Sequence, residues 1–140
     1  MTNPAEPDPF TGLWMLCPER SMFSTAAPRS WIQRIEINGD EVSAREEIVR
    51  PDGGLLVVTV QARFDGSDYP VHGSPMGATI AYQRIDRSTI SGVQKKNGVV
   101  TAQETVTVSP DGRRLTQRFS MLNGDREVAN GVAVFEKSGS

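Results

Sequence analysis

Residues 99–122 read VVTAQETVTVSPDGRRLTQRFSML. In the first run Val100, Ala102, Glu104, Val106 and Val108 share one parity, while Thr101, Gln103, Thr105 and Thr107 share the other. Side chains of an extended chain alternate between two faces, so this run is a strand with one apolar and one polar side. Asp111-Gly112 then supplies a tight turn, since both residues tolerate the positive φ that a hairpin demands. In the returning run Leu115, Gln117, Phe119 and Met121 share a face, and Arg118 looks the other way toward solvent. The segment is a β-hairpin.

The same punctuation recurs along the chain at Asn38-Gly39, Asp52-Gly53, Asp65-Gly66, Asn97-Gly98 and Asn123-Gly124, with Gly73-Ser74-Pro75 and Asp86-Arg87 between them. Turn signals roughly 8 to 14 residues apart are the spacing of consecutive antiparallel strands. About ten strands are expected, over residues 12–16, 30–37, 41–50, 55–64, 68–72, 77–85, 89–95, 99–108, 113–122 and 127–136. Residues 41–48 carry helix-friendly side chains but lie between two turn signals and are read as a strand; one turn of helix fits residues 18–22. Hairpin-linked strands form a meander, and closing it removes the exposed edges that invite aggregation. The expected fold is all-β, an antiparallel up-and-down β-barrel of about ten strands with an internal cavity, and a two-layer β-sandwich is the alternative. Residues 10–137 form the single domain, flanked by flexible segments at 1–9 and 138–140.

Composition narrows the function. The 140 residues carry 15 Lys+Arg against 17 Asp+Glu, a net charge of −2. No excess of cations is present to neutralise a phosphate backbone, so nucleic acid is not an expected partner. A single cysteine, Cys17, and a single histidine, His72, make neither a disulfide nor a structural zinc site, and no metal or cofactor is expected. No run of roughly 18 apolar residues spans a membrane. With no secretory signal pattern at the N-terminus, a cytoplasmic location is expected. Oligomeric state is open, a homodimer being one option.

The first strand carries Phe10-x-Gly12-x-Trp14-x-Leu16. This resembles the opening of the calycin superfamily, the lipocalins and fatty-acid-binding proteins, whose first strand packs a Gly-x-Trp across one end of a barrel. Residues 9–23, Phe64-Asp65-Gly66-x-Asp68-Tyr69-Pro70-Val71-x-Gly73-Ser74, Arg84-Ile85-Asp86, Lys95-Lys96-x-Gly98, residues 108–112 and Val134-Phe135-Glu136-Lys137 are similar to a group of small bacterial proteins described as lipocalin-like. The resemblance implies a barrel and a small hydrophobic ligand. Two features depart from the fatty-acid carriers: residues 17–29, with Pro18 and Pro28, are too short for a pair of lid helices, and Arg118 lies on the polar face rather than where a carboxylate-binding arginine belongs.

Polar residues on an apolar face are the candidates for chemistry. Glu104 and Glu46 qualify, the latter sharing a face with Val42, Ala44 and Ile48; so do Tyr82, beside Ala78 and Ile80, and Gln117. A carboxylate drawn into an apolar interior has its pKa raised, which prepares it as a general acid or base. A place at the solvated rim of the barrel is the alternative for either glutamate. Arg84, on the parity of Tyr82, could pair with a carboxylate or an anionic ligand. His72 is the one imidazole an enzyme could use, an exposed loop position being the alternative. Trp31, Phe64, Tyr69, Phe119 and Met121 complete an apolar inventory suited to a core or to a ligand cavity. Two functions follow from this inventory. One is a carrier or sensor of a small hydrophobic molecule, with Tyr82, Gln117 and Arg84 orienting its polar end. The other is a cofactor-free cyclase or isomerase in which Glu104, Glu46 or His72 moves a proton.

Overall fold

The computed structural model describes residues 7–74 and 78–139. The rest of the expected N-terminal segment, Pro75, Gly77 and Ser140 lie outside the described residues. Eleven strands run through the described chain: β1 (Gly12–Leu16), β2 (Met22–Phe23), β3 (Ser30–Asn38), β4 (Glu41–Val49), β5 (Leu55–Arg63), β6 (Tyr69–His72), β7 (Thr79–Asp86), β8 (Thr89–Lys96), β9 (Val99–Val108), β10 (Arg114–Asn123) and β11 (Arg126–Lys137). Between β1 and β2, Pro18–Arg20 make a single 3-10 turn. The helix-friendly residues of β4 pair along their whole length with β3 and β5, so tertiary pairing outweighs local propensity there.

Sequential neighbours pair antiparallel from β3 to β11, and β1 closes the ring by pairing with both β3 and β11. Ten strands therefore form a closed barrel, and the sandwich alternative is set aside because no stave is left with a free edge. The short β2 continues the line of β1 along β11, with Phe23 opposite Gly131. Hairpin turns match the expected dipeptides. At Asn97-Gly98 both residues hold positive φ, 53° and 78°, as a two-residue turn that follows the strand twist requires. Asn97→Ala is expected to cost about 1 kcal/mol, lowering Tm by about 3 °C in a thermal melt, because alanine tolerates this left-handed geometry less well than asparagine.

Alternation sets the inward faces. Odd residues of β3 and β10 and even residues of β4, β5, β7, β8 and β9 point into the barrel, which is why buried positions recur every second residue. The end of the barrel where the chain enters β1 is sealed by Phe10, Trp14, Leu115 and Phe135, each essentially without solvent contact. The Trp14 Nε1–H donates to the Phe10 carbonyl at 2.9 Å, and the Lys137 ammonium lies 5.2 Å from the Trp14 ring centroid. Here the Gly-x-Trp packs across one end of the barrel, as its resemblance implied. The opposite end stays open, bordered by Thr25, Ala26, Pro28, Pro51 and Ser74.

Candidate functional site

The barrel encloses a cavity of about 290 Å³. Most of its wall is aliphatic, with Ile35, Ala44, Val58, Val60, Ile90 and Val106 among the residues that face it. Halfway along runs a belt of polar groups: Gln33, Glu46, Tyr82, Gln94, Glu104 and Gln117, joined by the indole N–H of Trp31. Each belongs to the inward parity of its strand, so the belt follows from register rather than from any loop. At the belt, Glu46 stands opposite Gln33 on β3, and Glu104 stands opposite Gly92 on β8 and Phe119 on β10.

The belt is partly self-satisfied. Trp31 Nε1–H donates to Glu46 Oε1 at 2.8 Å, and Gln33 Nε2–H donates to Gln117 Oε1 at 2.9 Å across the interior. Trp31 is further fixed by an edge-to-face contact with Phe135, ring centroids 5.1 Å apart. The side-chain amide oxygen of Gln94, Oε1, is shielded from solvent and accepts no hydrogen bond. That is an unusual condition for a buried polar atom.

Charge in this setting is costly. Burial pushes the Glu104 carboxyl up to about 7, the nearby Glu46 charge adds to the rise, and a hydrogen bond with Gln94 opposes it. Burial also raises Glu46, against the opposing pull of the Trp31 hydrogen bond. The Tyr82 phenol is held well above its ordinary value by burial and by the two glutamates, so it stays a neutral donor. Such a site can accept hydrogen bonds and can hold a proton on Glu104 near neutral pH.

The structure brings eight of the expected site residues together on one cavity: Trp31, Glu46, Phe64, Tyr82, Glu104, Gln117, Phe119 and Met121. Three others are elsewhere. Arg84 turns away from the cavity at the sealed end, where its guanidinium meets Asp8 at 2.8 and 3.2 Å and stacks over Phe10 and Phe64. Its parity matched Tyr82, but two residues further along the strand is one level deeper in the barrel. Tyr69 is drawn aside because its hydroxyl donates to Asp65 at 2.6 Å, and His72 ends the short β6 exposed to solvent. Cys17 is buried, and its thiol is raised by its hydrogen bond to Glu19 and by desolvation, the opposite of what a nucleophile needs. Arg118 faces outward.

Two residues of the belt, and a glycine packed against it, escaped the sequence reading. Gln33 shares the parity of Trp31, Ile35 and Ile37 and could have been found by alternation. Gln94 shares the parity of Ile90 and Gly92, but Lys95-Lys96 directly after it masks the apolar face of its strand. Gly92 lies outside any turn, and a Cβ there would come within 3.1 Å of Glu104 Cγ and 3.2 Å of Tyr82 Cε1. Its missing side chain makes the room in which those two groups sit.

No protein-family model and no curated protein matches the chain. Among solved structures it is similar to the zebrafish ileal bile acid-binding protein crystallised with cholic acid, with 14% sequence identity, a TM-score of 0.58 and coverage of 92% of this chain and 98% of that one. The likeness is one of fold, a calycin-like closed antiparallel barrel. No described helix is long and apolar enough to cross a membrane.

Proposed function

We propose that the barrel carries one small hydrophobic molecule in its interior. The observation that supports this reading is the largely apolar cavity inside the barrel with a single polar belt, the arrangement in which burial supplies affinity and a few polar groups set orientation. The zebrafish protein in complex with cholic acid is a precedent for a small amphipathic ligand on this fold. Nile red, a neutral apolar dye, is expected to bind with a strong rise in emission and a stoichiometry of one. Ala44→Trp, placed on the cavity wall, should abolish that binding while leaving the circular dichroism of the barrel intact. Equal dye binding by the filled variant would remove the cavity as the site. Native mass spectrometry of protein from its own host should in addition show a co-purifying organic mass.

Glu104, poised near neutral pH beside Glu46 and Tyr82, favours a second reading, a proton-transferring cyclase or isomerase. On that reading Glu104→Gln keeps ligand affinity and loses turnover. If no candidate ligand is ever converted by the native protein, carriage is the whole function.

A further inference from the structure

We propose that the molecule held in the barrel is a hydrophobic amine, with its ammonium group seated between Glu46 and Glu104 and its carbon skeleton against the aliphatic wall. This rests on the reading that the cavity is a binding site and adds the chemical class of its occupant. The two carboxylates come from β4 and β9, on opposite sides of the ten-stave ring, and both face the same enclosed space. Among the described residues that line the cavity the sole cation is Arg50, which stands at the open end, half exposed and 3.9 Å from Asp52. Neither carboxylate therefore has a cationic partner within the belt.

Donors are also short. The Trp31 N–H is committed to Glu46, one Gln33 N–H is committed to Gln117, and Gln94 Oε1 has nothing to accept. Tyr82 and the remaining amide protons of Gln94 and Gln117 do not supply charge. Half-buried carboxylates in a mostly apolar cavity are unfavourable without a counter-charge, and a ligand that brings both a positive charge and several N–H donors relieves both deficits together. A fatty acid would instead add a third anion to the belt, and an alcohol brings one donor and no charge.

The test uses the full chain at pH 8 with decylamine, decanol and decanoate as competitors of bound Nile red. Decylamine is expected to displace the dye at concentrations about tenfold lower than decanol or less, with decanoate weakest. Glu46→Gln and Glu104→Gln should each reduce the advantage of the amine over the alcohol, and the double variant should erase it, each competition being referred to that variant's own Kd for Nile red. Acidifying the native protein from pH 8 to pH 5.5 should shrink the same advantage as Glu104 takes up a proton. Tyr82 stays neutral throughout, leaving the two glutamates as the belt groups that change. Should a variant not fold, the pH series on the native protein decides. Equal displacement by decanol or decanoate, or an advantage that survives the double variant or acid, overturns the amine assignment. In that case Nile red binding still supports the cavity, whereas failure of the dye to bind the native protein removes the parent reading as well.

Discussion

Unliganded protein is expected to melt at a higher temperature at pH 5 than at pH 8. Glu104 titrates near 7 in the folded barrel against 4.5 for an ordinary glutamate. Between those values the folded chain binds a proton that the unfolded chain has lost, so stability falls as pH rises through this window and is lowest above pH 7. Glu46 is shifted in the same direction and adds to the effect. At about 1.4 kcal/mol per pH unit, Glu104 alone accounts for roughly 3 kcal/mol, or about 10 °C in Tm for a domain of this size. The carboxylates with lowered pKa values, Glu19, Asp65, Asp86 and Asp111, are exposed and lose their contribution only in acid below their ordinary values of 4.5 for the glutamate and 3.8 for the aspartates, outside this range. Glu104→Gln keeps the shape and removes the charge. It should flatten most of the pH 5 to pH 8 difference and raise Tm at pH 8. A native protein whose stability rises across that range would mean that both glutamates are solvated or already paired. Saturating decylamine, by pairing the carboxylates, should flatten the profile from the other side.

How far the chain could be read from its residues depends on what alternation carries. Parity assigns a side chain to a face, and that was enough to place Glu46, Glu104, Tyr82 and Gln117 inside, because each rides on a strand whose other inward residues are apolar. Parity says nothing about depth. Arg84 has the parity of Ile80 and Tyr82, yet the pleat carries it one level further, to where residues 8–10 close the barrel. It also says nothing about neighbours on other strands. Gly92 looks dispensable in Ser91-Gly92-Val93 until β9 sets Glu104 opposite it, and the Gln33–Gln117 bridge joins residues that are far apart in sequence. The turns were legible because Asn-Gly and Asp-Gly encode backbone geometry locally. The belt was legible only in part because it is made across the barrel.

The second large effect is expected at the sealed end, from Arg84→Met. The Arg84 side chain is 22% exposed and its partner Asp8 17%, and the pair meets through two guanidinium nitrogens at 2.8 and 3.2 Å. The same guanidinium donates to the backbone carbonyls of Asp86 and Arg87 and lies 5.2 and 5.6 Å from the ring centroids of Phe10 and Phe64. One cation thus ties the incoming chain, the β7–β8 turn and two aromatic walls together. Methionine preserves length and apolar contact, so what is lost is charge and hydrogen bonding, and Asp8 is left desolvated with no counter-charge and the Phe10 backbone N–H, at 3.1 Å, as its donor. Removing one member of a largely buried pair costs about 3 kcal/mol, which lowers Tm by about 10 °C. Asp8→Asn should cost less, because arginine keeps its two carbonyls and both rings. A double-mutant cycle over Asp8 and Arg84 should return a coupling energy of at least about 1 kcal/mol. Since Phe10 and Phe64 also face the cavity, loosening them opens a second path for the occupant. Nile red should therefore dissociate faster from Arg84→Met than from the native protein, even at temperatures where both are fully folded. A variant that melts within about 2 °C of native and releases the dye at the native rate would reduce the Asp8–Arg84 pair to a surface contact, with the seal resting on Phe10 and Trp14 alone.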